Sequence, residues 1–411
     1  MGRFFSNENV TIEAIKADIT DRVSAACEGR HVLSIQDTTE INHFSHRNRV
    51  KGLGPVGNPK NIGFFLHPHV VVDADEEICL GVSSIHTFIR PEGKKVRNRA
   101  ELIETKESYR WIESSEVSKK TLEPARMVTI IADREGDIYE EYVRVPDERT
   151  HLIVRSSHNR HLANGQDLFD VVTSLPNLGR YEIEIKRHDK RMPRTALMNV
   201  KYAPITLTKP VHCTDQKAPD TVSLFVVDVC ESKESVPPVE EAIHWRLITT
   251  HTIFCFEEAC QIVRWYQNRW HIEQVFRTLK KQGLDVESSQ LEKAENLVKL
   301  TCMALQVAVR TLQLTLAREG KDQAITTVFN APECKALKAI LPTLEGKTEK
   351  QKNPHPIPNL SWAAWIIARL GGWKGYQSES PPGPITMRNG LDHFKKVYAG
   401  ILIAQKIVCI D

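Results

Sequence analysis

Two apolar runs that each stop at an aspartate constrain this chain more than any other feature. HVLSIQD, residues 31–37, is apolar in alternation from His31 and halts at Asp37, with TTE following. MVTIIADREGD, residues 127–137, is a continuous apolar run that ends at Asp133. Unbroken runs of β-branched residues read as strands buried on both faces, the pattern of a parallel or mixed sheet with helices over it. Catalytic groups collect at the carboxyl ends of such strands. Each acid also has an ordinary explanation, Asp37 capping a turn and Asp133 capping the next helix.

The remaining segments fill in around those two strands. NIGFFLHPHVVVD and ICLGVSSIHTFI are β-rich and separated by the acidic turn ADEEI, which predicts an antiparallel hairpin or a meander with the first strand. Residues 98–123 carry spaced Leu, Ile and Trp among charges and read as helix, as does the stretch from Asp137 through IYEEYV. HLIVRSS is a further buried strand. From Asn159 to about Trp245, alternating runs such as RYEIEIKRH, ALMNVKY and VSLFVVDVC predict a β-rich insertion. HWRLITTH closes it, and FEEACQIVRW opens a long helix. Everything downstream has helical spacing, so the class is α/β: a mixed sheet flanked by helices, a β-rich insertion and an all-α carboxyl-terminal domain.

Composition narrows the function classes. The 411 residues are 41% hydrophobic, enough for two or three domains with large cores. A net charge of +3 means that any surface for nucleic acid is local, not global. The 9 cysteines are an odd count with no C-x-x-C pair, which argues against a disulfide framework and a zinc ribbon. No stretch approaches the roughly 20 uninterrupted apolar residues of a spanning helix, and the amino terminus lacks an apolar signal region, so a cytoplasmic protein is expected. MGRFFS fits the myristoylation pattern, a match too short to carry weight.

WYQNRWHIEQVFRTLKKQGLD, residues 265–285, adds a third acid. On one continuous helix at about 100° per residue, Tyr266, Arg269, Glu273 and Lys280 fall at roughly 0, 300, 340 and 320°, a single narrow stripe. Beside it lie Trp265, Ile272, Val275, Phe276 and Leu279, the face expected to pack on a core. An amphipathic helix with a surface ion pair between Arg269 and Glu273 would share this pattern. Asp37, Asp133 and Glu273, if they converge, offer oxygen ligands that suit Mg²⁺ or Mn²⁺. Two such ions about 4 Å apart suit phosphodiester chemistry.

SIQDTTE, IADREGDIYE and YQNRWHIEQVFRTLK together resemble the three catalytic segments of bacterial DDE transposases, in the subgroup whose third segment carries Y-x2-R-x3-E-x6-K. Tyr266, Arg269, Glu273 and Lys280 match that signature at every position, and the resemblance runs from about residue 3 to the carboxyl terminus, through LIVRSSH and WAAWIIARLGGW. It implies an RNase H-like core with its first part at 31–158, a β-rich insertion at 159–242, the last strand and helices of the core at 243–320, an α-helical dimerisation domain at 321–411 and a remnant amino-terminal helical segment at 1–30. It implies that Asp37, Asp133 and Glu273 hold two Mg²⁺ ions, with Mn²⁺ able to substitute. The activity implied is cut-and-paste transposition of double-stranded DNA by strand cleavage, hairpin formation and strand transfer. A homodimer would act on the DNA, in the bacterial cytoplasm and on the nucleoid, with no membrane partner.

The same resemblance assigns Tyr266, Arg269 and Lys280 to phosphate and Trp245 to a base flipped from the duplex end. Trp270 can support that pocket or simply pack. Weaker basic candidates are His46, Arg47, Arg49 and Lys51 in HFSHRNRVKG, Arg155, His158 and Arg160 in RSSHNRH, and Arg187, Lys190 and Arg191 in KRHDKRMPR; each cluster alone also suits a solvated surface. His67 and His69 share one strand face, but no Cys or His pair completes a zinc site. Full-length relatives carry a helical DNA-binding domain before the first catalytic strand, where this sequence has little more than TIEAIKADITDRVSAACEG. Two other readings therefore stay open: a truncated non-catalytic protein that inhibits by dimerising, and a metal-dependent nuclease without strand transfer.

Overall fold

The computed structural model describes residues 2–58, 60–93, 101–185, 192–281, 283–320, 323–376 and 379–408. Among these the strands are, in chain order, β1 (His31–Gln36), β2 (Thr39–Asn42), β3 (Gly54–Pro55), β4 (Ile62–Asp73), β5 (Cys79–Phe88), β6 (Met127–Ala132), β7 (Thr150–Arg155), β8 (Gly179–Ile185), β9 (Arg194–Thr208), β10 (Thr221–Glu231) and β11 (His244–Thr249). The α-helices are α1 (Gly2–Phe5), α2 (Ile12–Ala26), α3 (Tyr109–Thr121), α4 (Tyr139–Arg144), α5 (Leu168–Ser174), α6 (Phe256–Gln267), α7 (Trp270–Lys280), α8 (Ala294–Ala317), α9 (Ala331–Ile340), α10 (Leu360–Leu370) and α11 (Pro384–Val408). The chain forms two compact units: a sheet unit of residues 29–37 and 94–269, and a helical unit of residues 1–28, 38–93 and 270–411.

In the sheet unit β1, β6 and β7 run parallel, β11 turns antiparallel to β7, and β10, β9 and β8 follow in antiparallel order. The sheet is mixed, as the sequence led us to expect. Every residue of β1 is buried, as are five of the six in β6, the consequence of covering both faces of parallel strands. Ile35 pairs with Ile131 and Ile131 with Ile153, forming an apolar row across the three strands. β9 instead alternates buried and open positions, so the β-rich segment has one covered face and one wet face. α6 packs on β9 and β10, and at its start Gly179 has no room for a side chain, because a Cβ there would overlap the Phe256 ring.

The helical unit sets β2, β3 and β5 on β4, with a turn through Glu77 joining β4 to β5 as an antiparallel hairpin. α2 and α8 pack on β5. By length and composition α8 could cross a membrane, yet 67% of its apolar window is buried inside the protein, the property of a core helix. The carboxyl-terminal region is helical: α8, α9, α10 and α11 enclose Leu314, Phe329, Leu337, Trp362, Ile366 and Phe394. α11 approaches α10 closely because Gly390 lacks a side chain; a Cβ would overlap the Ile367 carbonyl oxygen.

The expected single helix through residues 256–280 is two helices. α6 ends at Gln267, the amides of Asn268 and Arg269 turn back to the carbonyls of Trp265 and Tyr266, and α7 begins at Trp270. Asn268 fixes the break by donating its side-chain amide to the Arg264 carbonyl at 3.0 Å. Angular offsets counted at one fixed pitch therefore do not carry from Tyr266, on α6, to Glu273 and Lys280, on α7.

Candidate functional site

The β1–β6 register supplies the first part of the site. Residues 31 to 35 pair with 127 to 131, each partner lying 96 positions along. Continued by two residues, this places Asp37 opposite Asp133 at the carboxyl ends of adjacent parallel strands, whose backbones run about 4.8 Å apart. Asp133 is extended and caps the short turn Arg134–Gly136, its carboxylate accepting the Glu135 amide at 2.8 Å. The capping role is therefore real, and it engages one oxygen. Asp37 accepts Arg269 Nη1 at 3.2 Å, with both side chains 18% exposed.

Arg269 is thus brought to a carboxylate of its own unit. Tyr266 lies close by but is buried, and burial, with the Asp133 charge adding to it, pushes its phenol above the ordinary value against the pull of Arg269 and Arg155. Arg155 bonds the Tyr266 hydroxyl and donates to the His244 carbonyl at 2.9 Å; burial holds its pKa below the usual arginine range, and the neighbouring Arg134 lowers it further. Trp245 sits on β11 opposite Val229, half-buried, with its ring edge-on to Tyr266 at 5.9 Å. Asp37, Asp133, Arg155, Trp245, Tyr266 and Arg269 all belong to the sheet unit.

Glu273, Lys280 and Trp270 lie on α7 of the helical unit. Of the face expected to pack on a core, Ile272, Val275, Phe276 and Leu279 are buried on α7, whereas Trp265 belongs to α6 and is only partly buried. Burial depresses the Lys280 ammonium, while the carboxylates of Glu287 and Glu40 work in the opposite direction. Trp270 is 41% exposed. In the same unit Arg47 and Arg49 are exposed on a loop docked along residues 287–294: Arg47 stacks on Phe44 at 4.3 Å, Arg49 donates to Gln290 at 3.3 Å, and Lys51 pairs by its backbone with Lys293.

One further residue departs from the sequence reading. Arg160 faces inward, bonding buried Asp137 at 2.6 Å, so it leaves the group of surface cations. His67 and His69 are buried, and among the described residues no three His, Cys, Asp or Glu side chains are gathered as a metal group. Arg187, Lys190 and Arg191 lie outside the described residues. Asp37 and Asp133 nevertheless suit a hard divalent cation: both present carboxylate oxygens, and each directly follows one of two adjacent parallel strands whose register, continued two residues past Ile35 and Ile131, aligns them.

Sequence reasoning missed a buried polar layer behind these strand ends. Glu141 on α4 is fully buried, and burial raises its carboxyl pKa to about 8. Gln36, the residue before Asp37, donates to Glu141 at 2.8 Å and to Ser115 at 3.1 Å. The signal was present in the sequence as a glutamine and a glutamate inside otherwise apolar segments, positions where a polar side chain needs a partner.

Residues 113–307 match the sequence model described as the transposase DDE domain. The matched span includes Asp133, Trp245, Tyr266, Arg269, Glu273 and Lys280, whereas Asp37 precedes it. The match supports a DDE transposase, a DNA-processing enzyme. Among solved structures, the chain is similar to the protein in the cryo-EM structure of a piggyBac transposase synaptic complex with hairpin DNA, at 9% identity and a TM-score of 0.33. That alignment covers 72% of this chain and 50% of the other, so the chain spans half the length of that relative. A likeness of that size fixes neither fold nor function.

Proposed function

We propose that this chain is a DDE transposase of the Y-x2-R-x3-E-x6-K subgroup, in which Asp37, Asp133 and Glu273 hold two Mg²⁺ ions and Mn²⁺ can substitute. The observation that carries the reading is the register of β1 on β6, which ends both strands side by side on an aspartate. Magnesium held by these carboxylates would supply Lewis acidity at a phosphate oxygen and lower the pKa of an attacking water.

The chain's own residues bind and orient the DNA. Arg269 lies beside Asp37, and Arg155 is braced by Tyr266 and the His244 carbonyl. Each guanidinium can take two phosphate oxygens. Lys280 adds a point charge from α7. These contacts position the backbone and read no bases. Trp245 offers an indole face to a base lifted from the duplex end, where stacking contributes about 1 to 3 kcal/mol. Arg47 and Arg49 extend the phosphate track on an exposed loop. The reaction expected is cleavage of one strand, attack of the freed 3′-hydroxyl on the opposite strand to give a hairpin, opening of that hairpin and joining of the 3′ end to target DNA. The partner is double-stranded DNA, bound by a homodimer in the bacterial cytoplasm.

The test is incubation of the chain with linear duplexes taken from the DNA flanking its coding sequence, in Mn²⁺ or Mg²⁺, with products resolved on denaturing gels. The parent should give nicks, hairpins and joined products, and Asp133→Ala should reduce them at least a hundredfold. DNA binding with no product would favour the non-catalytic inhibitor. Nicks without hairpins or joined ends would favour a nuclease.

A further inference from the structure

Asp137 is fully buried and accepts more hydrogen bonds than an ordinary turn residue needs. Its Oδ1 takes Arg160 Nε at 2.8 Å, Arg160 Nη2 at 2.6 Å and the Tyr142 hydroxyl at 3.1 Å. Its Oδ2 takes the backbone amides of Ser157 at 2.8 Å and His158 at 3.1 Å, with the Ser157 hydroxyl at 3.4 Å. Arg160 Nη2 also reaches the Asp137 carbonyl at 2.6 Å. Side-chain exposure of the pair is 8% for Arg160 and 0% for Asp137. A buried carboxylate with both oxygens this fully engaged holds its partners in one arrangement.

The partners join two strand ends. Asp137 closes the turn that begins at Asp133 after β6, while Ser157, His158 and Arg160 belong to the loop leaving β7 after Arg155. β6 and β7 are neighbouring parallel strands, so both loops leave the same edge. The His158 backbone is pinned at both ends, its amide to Asp137 and its carbonyl by the Ser156 hydroxyl at 3.2 Å. Its imidazole remains on the exposed stretch 157–159. A surface loop of this kind would ordinarily sample several conformations.

We propose that Asp137 is a positioning residue of the DNA-binding surface: by clamping the loop after β7 to the turn that carries Asp133, it fixes Arg155 and His158 at the spacing needed to grip one phosphate backbone beside the two aspartates. This rests on the transposase reading above, and it adds a role for a residue outside the three acidic ligands. Pre-ordering the loop removes an ordering cost that DNA would otherwise have to meet on binding.

The experiment pairs a readout without DNA with one that requires it. Asp137→Asn leaves one acceptor oxygen where the native side chain has two, so either Arg160 and the Tyr142 hydroxyl or the Ser157 and His158 amides face an NH2, and the neutral side chain also loses the charge that holds Arg160. The Ser157 and His158 amides should then exchange with solvent at least tenfold faster, while β6 amides keep their protection. Fluorescence anisotropy with a short duplex should show affinity lowered about tenfold and the log–log salt slope reduced by one to two units, the loss of one or two phosphate contacts. Single-turnover cleavage at saturating DNA should stay within about threefold of the parent. Arg160→Gln, which leaves the backbone donors on Asp137, should shift exchange and affinity the same way by a smaller amount, and it serves if the first variant fails to fold. Unchanged exchange at residues 157 and 158 overturns the clamp. Faster exchange with unaltered affinity and salt slope overturns its role in DNA binding, leaving a merely structural pair. A parent chain that binds no DNA overturns the transposase reading and the purpose of the clamp together, while the exchange result still decides the clamp itself.

Discussion

Replacing Arg269 by Gln should tighten the binding of a divalent cation while weakening that of DNA. Arg269 Nη1 stands 3.2 Å from Asp37 Oδ2, with both side chains 18% exposed. With an effective dielectric constant near 20, two unit charges at that distance attract by about 5 kcal/mol. Desolvation of both ions and residual screening by water leave a net value on the order of 1 to 2 kcal/mol. In the transposase reading a cation arriving at Asp37 has to displace that guanidinium. Arg269→Gln removes the competitor and keeps most of the side-chain volume, so Mn²⁺ affinity should rise roughly tenfold, at 1.4 kcal/mol per decade. Titration calorimetry with MnCl₂ reads this directly, and anisotropy with a labelled duplex should show weaker DNA binding and a salt slope lower by about one. A folded variant with unchanged or weaker Mn²⁺ affinity would refute the competition, and an unchanged salt slope would remove Arg269 from the phosphate contacts.

Three further outcomes follow from the packing and the titration. Ile153, fully buried in β7 and register-paired with Ile131, should cost about 2 to 5 kcal/mol when truncated to Ala; a loss under 1 kcal/mol in denaturant unfolding would contradict the three-strand core. Gly390→Val should lower the thermal midpoint markedly, because the added atoms meet the Ile367 carbonyl, and an unchanged circular-dichroism melt would show that α11 can retreat from α10. Burial raises the Glu141 carboxyl from its ordinary value of 4.5 to about 8. It is therefore protonated in the folded state across a range where the unfolded chain has already released the proton. Its contribution is fully present below pH 4.5 and is lost as pH rises through about 8, at up to roughly 1.4 kcal/mol per pH unit. Glu141→Gln should flatten that part of the stability profile, and a parallel slope in the variant would refute the assignment.

The strand-end aspartates were legible because each closes an apolar run, and a charged residue stops such a run abruptly. Their pairing was not: HVLSIQD and MVTIIAD carry no mark of which residue faces which, and the register emerges only when the strands lie side by side. The break between α6 and α7 left only a faint trace. WYQNRW contains neither Gly nor Pro, and a lone asparagine, although it favours turns over helix interiors, is too common a helix residue to mark a break by itself. Arg160 was misread for a related reason. In RSSHNRH it looks like one more surface cation, and its partner Asp137 lies 23 residues upstream, beyond the reach of any local pattern.

The register of β1 on β6 also sets what kinds of change in length the gene can tolerate. Both aspartates are located by counting residues along a strand, so their alignment depends on the phase of each strand and is indifferent to how much chain runs between them. Insertions in the connecting loops leave that phase untouched. Deleting one residue within HVLSIQ or MVTIIA would slip every following position by one step, turn the buried isoleucines toward the opposite face and carry the acid out of line with its neighbour. Natural variation in such a gene should therefore concentrate its gaps between the strands and keep the distance from each strand's first buried residue to its aspartate constant.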